Sequence, residues 1–274
     1  MYSLYEEFRE KTVIVTGGTK GIGRGCAEAF CDVGANVVIC GRNETIGRTT
    51  AQTLTEANPG TCVFFPCDVG DELQVAALIN FAIQTFGRLD CIVNNAGFYP
   101  PEKPIDEVTK ADADEVFRVN FYSVFYGCKY ALPHLRKTKG SIVNISSVES
   151  VTGMESAFCY TATKGAIDTF TRSLAIDETK NGVRVNALRP GNILTDMYYQ
   201  NLSREPDPKE FEDYSNHVQW MGRGGQPIEI GRAALFLASN MASFVTGTTL
   251  LATGGYEIGE GAKYLRMSWN REEK

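Results

Sequence analysis

Short apolar segments recur along the chain, and stretches with a helical spacing of apolar residues separate them. Leu73 to Phe86 is one such stretch, with apolar residues at i, i+3 and i+4, which is typical of a helix with one buried face. The short segments are apolar on both faces, which is typical of strands in a parallel sheet covered by helices on both sides. They lie at residues 13–15, 37–39, 63–65, 92–93, 142–145, 183–188 and 250–251.

Strand and helix patterns alternate from one end of the chain to the other, without a linker, a repeat or a low-complexity stretch. This alternation predicts a single α/β domain, a Rossmann-like doubly wound sheet of parallel strands flanked by helices. We expect the domain at residues 8–258 and a C-terminal extension at residues 259–274. Residues 192–225 are rich in charged residues and contain Pro206 and Pro208, so we expect them to form a lid over the substrate.

The composition of the chain argues against nucleic acids and membranes as binding partners. The 274 residues carry 27 Lys and Arg against 33 Asp and Glu, and this net charge of −6 without a basic run argues against nucleic-acid binding. No segment approaches the roughly 18 apolar residues of a membrane span, and residues 1–11 lack the pattern of a signal peptide. We therefore expect a cytosolic protein that binds neither nucleic acid nor membrane.

The 8 cysteines show no zinc or C-x-x-C spacing, so we expect free, mostly buried thiols and no metal site.

A glycine-rich turn, residues 16–23, joins the first predicted strand to a helix that runs to about Val33. Glycines let the backbone approach a pyrophosphate, and the N-terminus of the following helix offers unpaired N–H groups and a partial positive charge. The spacing G-x-x-x-G-x-G differs from G-x-G-x-x-G, but the order strand, turn, helix is the context that a dinucleotide site requires. The predicted cofactor contacts in this turn are Gly17, Thr19, Lys20, Gly21, Ile22 and Gly23.

The end of the second strand bears on the choice between the two nicotinamide cofactors. An acidic residue there binds the ribose 2′-hydroxyl of NAD, whereas an Arg suits the 2′-phosphate of NADP. The strand ends at Gly41 and Arg42, and Lys20 adds a second cation, so we expect NADP(H). NAD(H) stays open as the alternative, with Arg42 solvated and Glu44 as the missing acid. The ends of the next two strands supply further predicted cofactor contacts. Asp68 and Val69 end the third strand and lie at the adenine, and the fourth strand ends with Asn95, Ala96 and Gly97.

Ser147, Tyr160 and Lys164 have the chemistry of a proton donor and acceptor. Tyr160 and Lys164 are four residues apart at the start of a predicted helix, so their side chains share one face. A free tyrosine has a pKa of about 10, and a neighbouring ammonium stabilises the tyrosinate and lowers that pKa. We expect Ser147 to bind the substrate oxygen, and Asn120 to hold a water that links Lys164 to solvent.

Taken together, these segments resemble the short-chain dehydrogenase/reductase family. The resemblance rests on residues 16–23, Asn94-Asn95-Ala96-Gly97, Asn120, Ser147, Tyr160-x-x-x-Lys164 and Pro190-Gly191. It implies seven parallel strands, a nicotinamide cofactor, Tyr160 as acid/base, and cofactor contacts from Tyr160, Lys164, Pro190, Gly191, Ile193 and Thr195. It also implies self-association to a homotetramer or dimer through the helices around residues 113–135 and 157–178.

Within that family, residues 86–90, 131–137, 182–193, 246–255 and 257–263 resemble the 17β-hydroxysteroid dehydrogenases. The likeness implies oxidation of a secondary alcohol such as the 17-hydroxyl of estradiol or an androgen, with L-fucose as a sugar alternative. Gly41 differs from that group, which has an Asp there and uses NAD.

The small-molecule substrate is expected to meet aromatic side chains. Tyr99, Met154 and Tyr198, with Phe98 and Tyr199, either form an apolar pocket suited to a flat substrate or pack the lid. A sugar dehydrogenase, a 3-oxoacyl or carbonyl reductase, and a cofactor-binding scaffold without turnover stay open as alternatives.

Overall fold

The computed structural model describes residues 3–258. It contains a sheet of seven parallel strands in the order β3-β2-β1-β4-β5-β6-β7, which confirms the predicted fold class. Each strand overlaps one of the predicted apolar segments. The strands are β1 (Thr12–Val15), β2 (Asn36–Gly41), β3 (Thr61–Pro66), β4 (Cys91–Asn94), β5 (Ser141–Ile145), β6 (Arg184–Pro190) and β7 (Thr249–Ala252). The expected extension at residues 259–274 lies outside the described residues.

Helices cover both faces of the sheet and give two layers of buried apolar side chains. Val13 and Val15 of β1 enter one layer and Ile14 enters the other, which explains why the strands are apolar on both faces. The helices are α1 (Leu4–Phe8), α2 (Gly21–Asp32), α3 (Glu44–Ala57), α4 (Glu72–Phe86), α5 (Lys110–Phe117), α6 (Ser123–Thr138), α7 (Glu149–Thr152), α8 (Phe158–Thr179), α9 (Asp196–Leu202), α10 (Pro208–His217) and α11 (Pro227–Ala238). Short 3₁₀ turns lie at Ile105–Glu107 and Asn240–Ala242, and a π-helical turn, Arg118–Tyr122, joins α5 to α6.

Close packing of α2 against α11 fixes the helix that follows the glycine turn. A Cβ atom on Gly25 would come within 2.3 Å of the Pro227 carbonyl carbon, and one on Gly231 within 2.1 Å of the Gly25 carbonyl oxygen. Only glycine allows the two backbones to approach this closely. The N-terminus of α2 is therefore held at the carboxyl end of β1.

The segment expected to form a lid folds into α9 and α10. Its two ends meet in a parallel bridge between Ile193 and Gly225. The Gly225 N–H donates to the Asn192 carbonyl, and the Leu194 N–H donates to the Gly225 carbonyl, both at 2.9 Å. The segment thus leaves the sheet and returns at one point beside the carboxyl end of β6, and its closure over a substrate stays a prediction.

The thiols agree with the sequence-based expectation. All eight cysteines are free, seven of them are buried, and Cys159 is partly exposed. Within residues 3–258, no cluster of His, Cys, Asp and Glu side chains is arranged to hold a metal ion. In the same part of the chain, no helix combines the length and the apolar character needed to cross a membrane.

Candidate active site

A cavity of about 1410 Å³ lies beyond the carboxyl ends of the strands. This volume exceeds the roughly 300–1,000 Å³ of a pocket for one small ligand, so a dinucleotide and a substrate have room together. The predicted catalytic residues Ser147, Tyr160 and Lys164 line it, as do the predicted substrate residues Tyr99, Met154 and Tyr198. The other predicted cofactor contacts on its wall are Gly17, Thr19, Lys20, Gly21, Ile22, Gly23, Arg42, Asp68, Val69, Asn95, Ala96, Gly97, Pro190, Gly191, Ile193 and Thr195.

The glycine turn is locked to the end of β4. Gly17 and Gly21 have positive φ angles of 64° and 53°, which favour glycine. A Cβ atom on Gly23 would lie 2.3 Å from the Gly17 carbonyl oxygen and 2.4 Å from Asn95 Nδ2. The side-chain amide of Asn95 donates to the Thr16 carbonyl at 2.8 Å, and the backbone N–H of Asn95 donates to Thr16 Oγ1 at 3.0 Å. Only glycine fits at position 23, because the Gly17 backbone and the Asn95 side chain pack directly against it.

The first turn of α2 fits an anion. Its N-cap residue, Lys20, makes no side-chain capping hydrogen bond, whereas Asn43 caps α3 and Asp71 caps α4. The N–H groups at the start of α2 are thus left for a ligand, in the partial positive field of the helix. These residues fit the pyrophosphate of a dinucleotide.

The adenosine end of the cavity is formed by Gly41, Arg42 and Asp68. Arg42 is exposed, and its guanidinium has no hydrogen bond or ion pair within residues 3–258. Asp68 is bound to Arg118 at 3.2 Å. Glu44 accepts a hydrogen bond from Arg48 Nε at 2.9 Å and is absent from the cavity wall. Glu44 is therefore not placed to supply the acid that Gly41 lacks.

Ser147 and Lys164 are oriented by backbone groups. Ser147 is buried two residues after β5; its Oγ accepts a hydrogen bond from the Glu149 N–H at 3.2 Å, and its hydroxyl also interacts with Tyr160. Lys164 is also buried, and its Nζ donates to the Ile145 carbonyl at 3.0 Å. Nζ lies 5.5 Å from the centroid of the Tyr160 ring. The expected set is thus assembled at one end of the cavity.

The pKa of Tyr160 shifts in the direction opposite to the expected one. Burial raises it, the Glu149 carboxylate raises it further, and a hydrogen bond with Ser147 lowers it. Burial also lowers the pKa of Lys164 to about 8. The expectation considered the neighbouring ammonium alone, whereas burial acts on both groups and the Lys164 ammonium donates to the Ile145 carbonyl. Tyr160 therefore needs additional positive charge nearby to act as a base.

Asn120 lies in the π-helical turn rather than in a regular helix. Such turns are frequent at functional sites. Asn120 is fully buried, and its side chain both accepts from the Phe98 N–H and donates to the Phe98 carbonyl, each at 2.9 Å. A Cβ atom on Gly97 would be 3.2 Å from Asn120 Oδ1 and 3.8 Å from Lys164 Nζ. Asn120 thus lies close behind Lys164, and its role in holding a water stays a prediction.

The substrate end has the expected aromatic groups. The Tyr99 ring lies 4.9 Å from the Tyr160 ring, and the buried Tyr198 packs against Phe211 at 6.2 Å. Tyr199 packs on Tyr198 at 5.3 Å but is absent from the cavity wall. Phe98 and Met154 complete the expected group on that wall.

Two of the carboxylates on the cavity wall act electrostatically on Tyr99, and the sequence-based prediction of an apolar pocket missed them. They belong to Glu149 and Glu102, and the Tyr99 hydroxyl donates to Glu102 at 3.1 Å. Burial raises the pKa of Glu149 to about 7, although the Lys164 ammonium opposes the shift. The position of Glu149, just after Ser147, was the one signal in the sequence that could have revealed it. The pocket is therefore less apolar than expected.

Comparison with known proteins supports an oxidoreductase chemistry for this site. A family model described as enoyl-(acyl carrier protein) reductase matches residues 17–257. The L-fucose dehydrogenase of Oryctolagus cuniculus is 46% identical over 251 residues, which cover 92% of this chain and 86% of that protein. The crystal structure of levodione reductase has a TM-score of 0.87 at 30% identity and covers 90% of this chain and 98% of its own. The aldohexose dehydrogenase of Thermoplasma acidophilum has a TM-score of 0.83 at 32% identity, with coverages of 93% and 97%.

These relatives bear on the substrate that the sequence suggested. The likeness to the 17β-hydroxysteroid dehydrogenases is not confirmed, because four relatives that are 43% to 46% identical are named as L-fucose dehydrogenases. The comparisons favour the sugar alternative over the steroid one.

Proposed function

Because the chain belongs to the short-chain dehydrogenase/reductase family, we propose that it oxidises a secondary hydroxyl of a cyclic sugar such as L-fucose. The observation that supports this substrate class is the 46% identity with an L-fucose dehydrogenase across 92% of this chain. The chemistry is supported by the assembly of Ser147, Tyr160 and Lys164 in one cavity. The reverse reaction, reduction of the corresponding carbonyl, uses the same groups.

The residues of the site divide the proton transfer between them. A bound oxidised nicotinamide supplies the hydride acceptor and a positive charge. Ser147 hydrogen-bonds the substrate oxygen, and the Tyr160 phenolate removes the hydroxyl proton as the neighbouring carbon loses its hydride and the C=O bond forms. Lys164 and Asn120 then connect Tyr160 to solvent. In reduction, Tyr160 returns this proton to the oxygen.

NADP(H) is the favoured cofactor in this proposal, with NAD(H) as the alternative. Arg42 is exposed on the cavity wall without a hydrogen bond or ion pair among residues 3–258, although it attracts the Glu115 carboxylate on the same wall, and a guanidinium binds a phosphate through two parallel hydrogen bonds. Lys20 lies on the same wall. Gly41 offers no carboxylate to a ribose 2′-hydroxyl, and Glu44 is bound to Arg48 instead.

Self-association is part of the proposal as well. Tyr122 and Phe125 are 47% and 41% exposed, and Ile176 on α8 is 78% exposed. Exposed apolar groups on neighbouring helices are typical of a protein–protein interface. We place a homodimer or homotetramer contact on these helices, and light scattering of the purified protein tests it, since a monomer mass would contradict it.

Replacement of Tyr160 tests the catalytic assignment. In Tyr160→Phe, formation of reduced nicotinamide from L-fucose should fall by about 100-fold or more, the usual contribution of a positioned acid/base. Cofactor binding, followed by calorimetry, should remain. Tyr130→Phe is the matched control, because Tyr130 lies on α6 and its hydroxyl donates to Glu72 at 2.9 Å. Retained turnover in Tyr160→Phe would remove Tyr160 from the mechanism.

A further inference from the structure

Glu149 presents a buried oxygen without a partner at the substrate end of the cavity. It is the first residue of α7, and it lines the cavity wall two residues after Ser147. Its Oε2 is buried and has no hydrogen bond with any of the residues 3–258. Buried carboxylate oxygens are rarely left unpaired, because each has lost its hydrogen bonds to water. This oxygen therefore points to a donor that comes from outside the chain.

The protein groups that face Glu149 do not satisfy this oxygen. Lys164 Nζ attracts the carboxylate but donates to the Ile145 carbonyl at 3.0 Å. The Tyr99 hydroxyl donates to Glu102 at 3.1 Å, and Glu102 repels Glu149. The groups in electrostatic contact with Glu149 are Lys164, Glu102, Tyr99, Tyr160 and Tyr256.

The backbone that presents Glu149 is held in place. Ser150 Oγ donates to Asp168 Oδ2 at 2.7 Å, and Arg189 Nη2 donates to the same oxygen at 2.7 Å. Asp168 is buried on α8, one turn after Lys164. The Glu149 N–H is itself bound to Ser147 Oγ at 3.2 Å. The carboxylate thus has a defined position relative to the reacting groups, as a binding group requires.

We propose that Glu149 binds the substrate by accepting a hydrogen bond from a hydroxyl other than the one that is oxidised. This inference rests on the proposed sugar oxidation and names the residue that selects for it. An ionised carboxylate only accepts hydrogen bonds, and a sugar ring carries hydroxyl donors next to the reacting carbon. A flat apolar alcohol with one hydroxyl would leave Glu149 unpaired, and sites built around a hydrogen bond discriminate strongly against such ligands.

Glu149→Met removes the acceptor and keeps an unbranched side chain. We expect kcat/KM for L-fucose to fall by about tenfold or more, as for the loss of a hydrogen bond to a charged group. The ratio of kcat/KM for L-fucose to that for cyclohexanol, which has no second hydroxyl, should fall as well, because this ratio cancels the effect of Glu149 on the pKa of Tyr160. Glu155→Met is the matched control, because Glu155 is exposed and lies outside the cavity wall.

Deoxy analogues of L-fucose identify the hydroxyl. One analogue should have a lower kcat/KM than L-fucose with the wild-type enzyme. With that analogue, Glu149→Met should lower kcat/KM no further, since the missing hydroxyl and the missing carboxylate remove the same interaction. Equal losses for Glu149→Met with every analogue would overturn the inference. If kcat/KM for L-fucose is the same in Glu149→Met as in the wild type, the inference about Glu149 is overturned, whereas the proposed sugar oxidation is not. Absence of sugar oxidation in the wild type would instead overturn the proposed function and this inference together.

The isosteric variant Glu149→Gln gives an independent readout if the methionine variant does not fold. The pKa of Glu149 is raised to about 7 by burial, so kcat/KM for the sugar should fall as the pH drops through that value and the carboxylate is protonated. Glu149→Gln should lack this decline. A decline of the same size in both proteins would contradict the assignment.

Discussion

Arg42→Ala should weaken NADP⁺ binding far more than NAD⁺ binding, because only NADP⁺ carries a 2′-phosphate. Arg42 follows β2 directly and lies exposed on the cavity wall. Its guanidinium attracts the Glu115 carboxylate but makes no hydrogen bond or ion pair within residues 3–258, so the substitution breaks no internal ion pair. The variant therefore reports on the ligand with little effect on the fold.

The expected size of the effect follows from this exposure. A hydrogen bond to a charged group contributes about 1.5–3 kcal/mol, and solvent exposure favours the lower end of that range. A loss of about 1.5 kcal/mol raises the Kd of NADP⁺ roughly tenfold. Lys20 remains on the same wall, so binding should be weakened but not abolished.

Isothermal calorimetry with each cofactor measures both dissociation constants directly. Arg48→Ala is the matched control, because Arg48 is an exposed residue of α3 that pairs with Glu44 and lies outside the cavity wall. It should change neither dissociation constant. Equal weakening of NADP⁺ and NAD⁺ in Arg42→Ala, or weakening of NAD⁺ alone, would refute the contact with the 2′-phosphate.

Two other substitutions test the site by different means. Gly23→Ala should abolish cofactor binding in calorimetry, because its Cβ would lie 2.3 Å from the Gly17 carbonyl oxygen and the turn must move; unchanged binding would contradict this geometry. Glu149→Gln should stabilise the protein at about pH 8 but not near its ordinary carboxyl pKa of 4.5. The folded state holds the Glu149 proton up to about pH 7, whereas the unfolded state releases it near 4.5, so wild-type stability falls between these values. The wild type loses at most about 3 kcal/mol of its free energy of unfolding in this way. Urea unfolding of both proteins at both pH values measures the difference, and an equal difference at the two pH values would contradict the prediction.

The fold and the conformation of the glycine turn could be predicted because their signals are local. Strands that are buried on both faces contain runs of consecutive apolar residues, such as residues 13–15 of β1 and 142–143 of β5, and these runs are visible in the sequence. The glycine turn is also local, since Gly17, Gly21 and Gly23 are required by backbone angles and by a contact within one turn.

The electrostatics of the site could not be predicted because they depend on contacts distant in sequence. Tyr160 has a raised pKa because the folded chain buries it, and Lys164 is directed to a carbonyl of β5 rather than to the tyrosine. Glu149 faces the cavity because α7 is fastened through Ser150 to Asp168 on another helix.

Initial rates of nicotinamide reduction test the central claim most directly, with L-fucose and 17β-estradiol each offered with NADP⁺ and with NAD⁺. We expect turnover of L-fucose, faster with NADP⁺ at limiting cofactor, and little or none of the steroid. Turnover of estradiol alone would contradict the proposed sugar oxidation and would restore the steroid dehydrogenase that the sequence first suggested.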